Sequence, residues 1–436
     1  MIKAERRTGL VFFPAFDWAI SPTHPEREER LLYTQDQVME EGLLDIEGII
    51  EYRVRPATNE DIRRVHFCVP DEGAVTTESH MISAGGCLVA ADAVLKGEVE
   101  SAFALVRPPG HHAMRVVHGN RGFCNIHIEA IMIEYLRDRY GINRVAIVDT
   151  DCHHGDGTQD IYWHDPDTLF ISLHQDGRTL YPGSGFPDES GGPNAQGRTV
   201  NIPLPPETGE KGFLYVLDEL VMPLIEEFDP EIVINSAGQD NHFNDPITNM
   251  NFSAHGYAEL NARLRPDIAV LEGGYAVENA LPYVNVGIIM AMAGMDTSFI
   301  KEPNYDEDYR PQPPEITQYI EELSAGLKKD FLKGGLKRVQ YREGDIVERD
   351  RDIFYDTDGI RENQHERVRC CRQCAGALSI ESTSSLGQHI MAIHIPRRAC
   401  KACQKIARSW FEDGASSGLF DHVFFQDRVR GVYELA

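Results

Sequence analysis

Val145-Ala-Ile-Val-Asp149-Thr-Asp151-Cys-His153-His154-Gly-Asp156 runs an apolar strand straight into three carboxylates and two imidazoles within eight residues. Side chains alternate faces along a strand, so Asp149 and Asp151 point the same way, and His153 continues that spacing just past the strand's end. Carboxylate and imidazole at Asp-x-His spacing suit a divalent ion of the zinc type. Alone, the cluster reads equally as a polar turn or a helix cap, so the rest of the chain decides.

Further apolar runs at 102–106, 168–173, 232–235 and 268–271 read as strands, and 81–95, 126–140, 213–228 and 253–264 have helical apolar spacing. This alternation predicts an α/β fold, a mostly parallel sheet sandwiched by helices, whose ligands lie beyond the carboxyl ends of the strands. The unusual polar chemistry falls there. Arg107-Pro-Pro-Gly110-His111-His112 follows one run, His174-Gln-Asp and Tyr181-Pro-Gly-Ser-Gly185 another, Ser236-Ala-Gly-Gln-Asp240-Asn-His242-Phe-Asn-Asp245-Pro a third, and Glu272-Gly-Gly-Tyr275 the last.

At 436 residues and 42% hydrophobic content the chain is long enough for one large domain and a smaller appendage. The net charge of −27 disfavours nucleic acid as a partner of the main body and tolerates cationic substrates. No stretch approaches a membrane span, so the chain is expected to be cytoplasmic, without a membrane partner. The divisions expected are a catalytic domain over 1–300, then 301–365 as linker, helix (315–332) and short hairpin (337–342 and 345–348 about Glu343-Gly344), then a module over 366–436.

These post-strand motifs resemble the histone deacetylase and acetylpolyamine amidohydrolase superfamily of the arginase-deacetylase fold, in its bacterial or archaeal form. The resemblance spans roughly residues 8 to 295 and includes His24-Pro-Glu-Arg-Glu-Glu-Arg30-Leu. It implies a zinc-dependent deacetylase. Asp151, His153 and Asp245 would be the zinc ligands, with His112 as general base and then acid and His111 as its electrostatic partner. Asp149 and Asp156 would orient the two histidines, and the Tyr275 phenol would donate to the developing oxyanion. His154 is left with a structural role. It further implies an inner potassium-like site from Asp149, Asp151, His153, Ser172 and Leu173, and an outer one from the carbonyls of Tyr162, Asp165 and Thr168. Gly122, Phe123, Tyr181 and Phe252 would wall an acyl-lysine tunnel. The family's acidic rim residue has no clear counterpart beyond Asp71 or Glu72, and Glu272 stands where the family often has glycine.

Cys371-Arg-Gln-Cys374 and Cys400-Lys-Ala-Cys403, with 25 residues between them, form a paired Cys-x-x-Cys pattern that signals a structural zinc, as in a zinc ribbon. A rival ligand set is Cys371, Cys374, His389 and His394; the four-cysteine set is preferred because 378–382 and 390–395 look strand-like. Residues 365–409 carry eight Lys and Arg against Glu366 and Glu381, which leaves nucleic acid open as a partner of this module. The expected substrate is an acetylated lysine in protein or an acetylated polyamine, in a chain free to oligomerise. The competing readings are an arginase-type ureohydrolase with two manganese ions, and a non-catalytic protein that binds through its C-terminal module.

Overall fold

The computed structural model describes residues 3–15 and 18–436. Its large sheet contains β1 (Lys3–Phe13), β2 (Glu47–Tyr52), β3 (Ser101–Val106), β4 (Val145–Asp149), β5 (Thr168–Gln175), β6 (Thr199–Leu204), β7 (Ile232–Ala237) and β8 (Ile268–Leu271). They lie in the order β2-β1-β3-β8-β7-β4-β5-β6, and all seven pairings are parallel. Alternate residues of β4 serve opposite faces: Ala146 and Val148 join one core cluster, Val145 and Ile147 the other. Burial on both sides explains why these strands read as unbroken apolar runs. Helices such as Glu78–Leu95 and Ile128–Tyr140 cover one face, and Ala254–Leu264 and Leu281–Met292 the other.

A helix at Pro314–Leu332 leads to a second sheet, β9 (Ile346–Tyr355), β10 (Ile360–Arg369), β11 (Leu378–Ser384), β12 (His389–Ile395), β13 (His422–Asp427) and β14 (Val432–Leu435), paired in that order. The expected hairpin about Glu343-Gly344 is not formed: no strand lies in 337–345, and the hairpin is β9–β10, turning at 356–359. The boundary expected at 366 therefore cuts through β10, and the C-terminal unit begins near 346. β12 and β13 are parallel, joined through the helix Lys401–Ser417.

The two sheets are not separate bodies. Phe67, Val69 and Val116 share a core with Val368, Leu378, Ile380, Ile390 and Phe424, and Met114 packs with Ile353, Tyr355 and Ile360. Polar contacts frame this seam: Tyr355 donates to the Val116 carbonyl at 3.0 Å, and His164 meets Glu366 at 2.8 Å. Among the described residues, no helix is long and apolar enough to cross a membrane.

Candidate active site

The histidine pair leaves β3 on a loop that Glu272, at the end of β8, holds from below. Both the Gly110 and His111 N–H groups donate to its Oε2, at 2.7 and 3.0 Å. Glu272 is fully buried, and burial raises its carboxyl to about 7. What reads in the sequence as a departure from glycine is thus a brace for the histidines.

His111 Nδ1 lies 3.2 Å from Asp149 Oδ2, and His112 Nδ1 lies 2.8 Å from Asp156 Oδ1. The rings stand 4.0 Å apart and titrate in opposite directions. Burial works against charge on both, but Asp151 and Asp149 carry His111 well above its ordinary value. Burial and the charge of His111 push His112 down to about 3. His112 is therefore a neutral ring, its Nδ1 proton engaged by Asp156 and its Nε2 left as acceptor. Asp156 has a second partner, Arg121, whose Nε donates to Oδ2 at 3.1 Å. Burial opposes the charge on Asp156, yet Arg121 and His112 hold it below the usual carboxylate range. Arg121 was not anticipated from the sequence.

Asp151, His153 and Asp240 offer ligand atoms within 4.8 Å of one another. Asp151 Oδ1 and Asp240 Oδ2 both converge on His153 Nδ1, at 3.2 and 2.9 Å. One N–H cannot serve two buried carboxylates, so the donor set fits a cation in the proton's place. Asp240 was missed in the sequence, where only Asp245 of its loop stood out. The Asp245 carboxylate lies alongside, accepting from the Ile247 and Tyr275 N–H groups at 3.0 and 2.8 Å. Burial and then Asp240 raise it to about 8. Gly273 permits this crowding, since a Cβ there would lie 2.4 Å from Asp240 Oδ2.

Tyr275 is steadied by the N-terminal motif. Arg30 donates to the carbonyls of Gly274 and Glu272 at 2.7 and 2.5 Å, and its guanidinium sits 4.9 Å from the Tyr275 ring centre. Glu26 pairs with both Arg30 and Arg107, and all three side chains are fully buried. Burial holds the Tyr275 phenol well above its ordinary pKa, so it stays a donor.

His111, His112, His153 and Tyr275 line one cavity of about 230 Å³. Gly122, Phe123 and Tyr181 wall it, joined by Leu180 and Ile247, which sequence reasoning did not single out. Gly122 has φ +53°, and a Cβ there would lie 2.3 Å from His112 Cδ2, so only glycine brings this wall against the ring. Phe252 corrects the expectation: it is fully buried between Phe213 and Tyr257, ring centres 4.7 and 4.6 Å away, and is core. Asp71 and Glu72 are not at the rim either. Asp71 caps a helix through the Ala74 N–H, and Glu72 pairs with Arg63. The carboxylate that does reach the cavity is Asp356, from the β9–β10 turn. Its Oδ1 accepts from the Gly122 N–H and the Tyr181 hydroxyl, both at 2.9 Å.

Away from the cavity, Ser172 stands beside Asp149 in the β4–β5 register with its hydroxyl 2.8 Å from His174 Nδ1, and Leu173 is buried next to it. His154 bonds Ser184 and Gln159, as a structural residue would.

The C-terminal cysteines converge. Cys371 Sγ lies 3.5 Å from Cys374 and 3.8 Å from Cys400, and Cys374 lies 3.5 Å from Cys403. A disulfide would need about 2 Å, whereas four thiolates about 2.3 Å from a tetrahedral zinc stand roughly 3.8 Å apart. Cys400 and Cys403 open the helix Lys401–Ser417, where the dipole favours thiolate. His389 and His394 are occupied elsewhere, by Glu381 and Gln426.

The histone deacetylase domain family matches residues 73–286. A probable deacetylase of Archaeoglobus fulgidus is 46% identical over 333 residues, covering 70% of this chain and 90% of that protein. The histone deacetylase-like amidohydrolase of Pseudomonas aeruginosa is 32% identical over 338 residues, 69% of this chain and 85% of the relative. The crystal structure of the HDA15 HD domain superposes with a TM-score of 0.66 at 25% identity, covering 76% of this chain and 98% of that one.

Proposed function

The chain belongs to the histone deacetylase family, and from that premise we propose that it is a zinc-dependent amidohydrolase that removes an acetyl or short acyl group from an acylated amine. The observation that carries this reading is the one cavity lined by His111, His112, His153 and Tyr275, with the carboxylates of Asp151 and Asp240 converging on His153. Asp151, His153 and Asp245 would hold the metal, with Asp240, whose Oδ2 meets the same His153 Nδ1 as Asp151, beside them. When bound, zinc supplies Lewis acidity toward a carbonyl and brings the pKa of a bound water to about 7.

The protein's own groups then divide the remaining work. His112 takes a proton at Nε2 from the attacking water and returns it to the leaving nitrogen, while its Nδ1 proton stays on the ring, hydrogen-bonded to Asp156, which stabilises the imidazolium. Asp149 pairs with His111 and holds its ring against that of His112. Tyr275 donates a hydrogen bond from its hydroxyl to the oxyanion, held in place by Arg30 and by its own N–H on Asp245. Gly122, Phe123 and Tyr181 guide the acyl chain. Potassium-type cations at Asp149, Asp151, His153, Ser172 and Leu173, and a zinc on Cys371, Cys374, Cys400 and Cys403, complete the reading.

The test pairs metal analysis with turnover of an acetyl-lysine peptide and of acetylated putrescine. Metal-replete protein is expected to hydrolyse at least one, and His112→Ala to lose about 10²-fold or more. Asp245→Asn is expected to lose the catalytic metal and Asp240→Asn to weaken it about 10- to 100-fold. Hydrolysis of neither substrate, or full activity in His112→Ala, refutes the proposal.

A further inference from the structure

The catalytic cavity contains one acidic side chain that the catalytic sheet does not supply. Asp356 arrives from the turn between β9 and β10, more than 60 residues beyond the end of the family match at 286. Its tip is held from the catalytic side of the seam. Oδ1 accepts from Gly122 N–H and Tyr181 hydroxyl, two walls of the cavity, and one residue pair away Asp358 Oδ2 accepts from the Asn120 N–H at 2.6 Å. The carbonyl of Phe354 takes a hydrogen bond from Arg121. The strand end that carries Asp356 is thus tied at alternate residues to the loop 120–122, and the carboxylate is half-buried.

This arrangement leaves Oδ2 of Asp356 without a hydrogen-bond partner among the described residues. The Arg121 guanidinium, which could otherwise serve it, is held by Asp156 and the Phe354 carbonyl. Tyr181 sets the depth: its ring centre lies 5.2 Å from that of His112, and its hydroxyl ends on Asp356. Asp356 therefore lines the same cavity as the histidines, with the Tyr181 side chain between its carboxylate and the His112 ring. A partly buried carboxylate lining a substrate cavity suits a charged N–H donor on the substrate.

We propose that Asp356 is a substrate-recognition residue contributed by the C-terminal domain, and that it binds an ammonium group carried a few carbons from the scissile amide. The proposal rests on the amidohydrolase reading above and names its substrate class: acylated amines with a second, cationic nitrogen. The appended domain is then part of the active site.

Asp356→Asn provides a clean test. The asparagine Oδ1 still accepts from Gly122 and Tyr181, while an NH₂ replaces the free oxygen and the charge is lost. Steady-state kinetics of the full-length, metal-replete protein would compare N-acetyl-1,4-diaminobutane, the uncharged N-butylacetamide, and an acetyl-lysine peptide with uncharged flanks. The variant is expected to raise KM for the diamine about tenfold or more, the size of one hydrogen bond to a charged group, with kcat within about threefold, and to leave the uncharged amide unchanged. Equal losses on all three substrates, or losses in kcat alone, would assign Asp356 a structural role and overturn the proposal. A selective loss on the peptide would make the partner a backbone amide and overturn the cationic assignment. If the wild type hydrolyses none of the three, the amidohydrolase reading falls and takes this inference with it. If the wild type is active and Asp356→Asn matches it on the diamine, only this inference falls.

Discussion

Asp156→Asn isolates the most specific feature of the site, a carboxylate shared between a histidine and an arginine. In the wild type Asp156 accepts three times, from His112 Nδ1 at 2.8 Å, from Arg121 Nε at 3.1 Å and from Arg121 Nη2. Asparagine has one acceptor oxygen and one donor nitrogen. Arg121 is buried and donates only, so the asparagine oxygen turns to it and the NH₂ faces His112 Nδ1. That nitrogen must then accept, which moves the ring proton to Nε2, the position that has to take a proton from water. The base is present in the wrong tautomer. General acid–base help is worth about 10² to 10⁴, so kcat should fall about 10³-fold, roughly 4 kcal/mol of transition-state stabilisation, with KM within about threefold. The assay is steady-state hydrolysis of an acetylated substrate at neutral pH, with metal content checked on the same sample. Removing Arg121 as well frees the asparagine to turn back, so Asp156→Asn with Arg121→Ala should recover about tenfold over Asp156→Asn alone, a non-additive pair. A metal-replete Asp156→Asn protein within about threefold of wild-type kcat would refute the tautomer argument.

Three further outcomes follow from features outside the reacting centre. His66 donates from Nδ1 to the Met114 carbonyl and accepts the His127 N–H at Nε2, and burial lowers it to about 4 from 6.5. The unfolded chain therefore binds the extra proton, and stability falls as pH drops from about 6.5 to about 4, by roughly 3 kcal/mol in all. Urea titrations at pH 7.5 and 5 should show about 2 kcal/mol of this in the wild type and its absence in His66→Gln; equal slopes would contradict it. Phe252→Ala should cost about 3 to 5 kcal/mol of stability and leave KM within about twofold, whereas a raised KM at unchanged stability would return Phe252 to the tunnel wall. Cys374→Ser should lose one equivalent of zinc and several kcal/mol of stability, since structural zinc is worth roughly 10 kcal/mol or more; activity should fall with it, because the same unit carries Asp356. Unchanged zinc content would rule out the four-cysteine site.

The catalytic strands were legible because burial on both faces writes them as apolar runs, and their polar ends were legible because carboxylates and imidazoles are rare there. β1 and β2 were not: β1 opens on the charged Lys3-Ala-Glu-Arg-Arg7, and β2 is an edge strand with only Ile49 buried; β6 carries Asn201 and Pro203, which read as a loop. The C-terminal sheet was hidden for a different reason. In β10 the inward positions are Ile360, Glu362, Gln364, Glu366 and Val368, so the alternation is there but is mostly polar. Those residues meet polar partners: Glu362 takes the Tyr355 hydroxyl and Glu366 takes His164. Asp240 lacked a signal of its own, and Asp356 sits about 240 residues from the histidine pair, with no local pattern to mark it.

The core shared across the two sheets also sets an order of events during synthesis. Phe67, Met114 and Val116 belong to the first third of the chain, yet the side chains that cover them, from Ile353 to Phe424, emerge last. At roughly 5 to 20 residues per second, the nascent catalytic sheet waits many seconds with that apolar seam open and with the loop at 120–122 untethered. The chain therefore cannot complete its active site until its last sheet is made, and folding intermediates on the ribosome should be both inactive and in need of a chaperone at this one face.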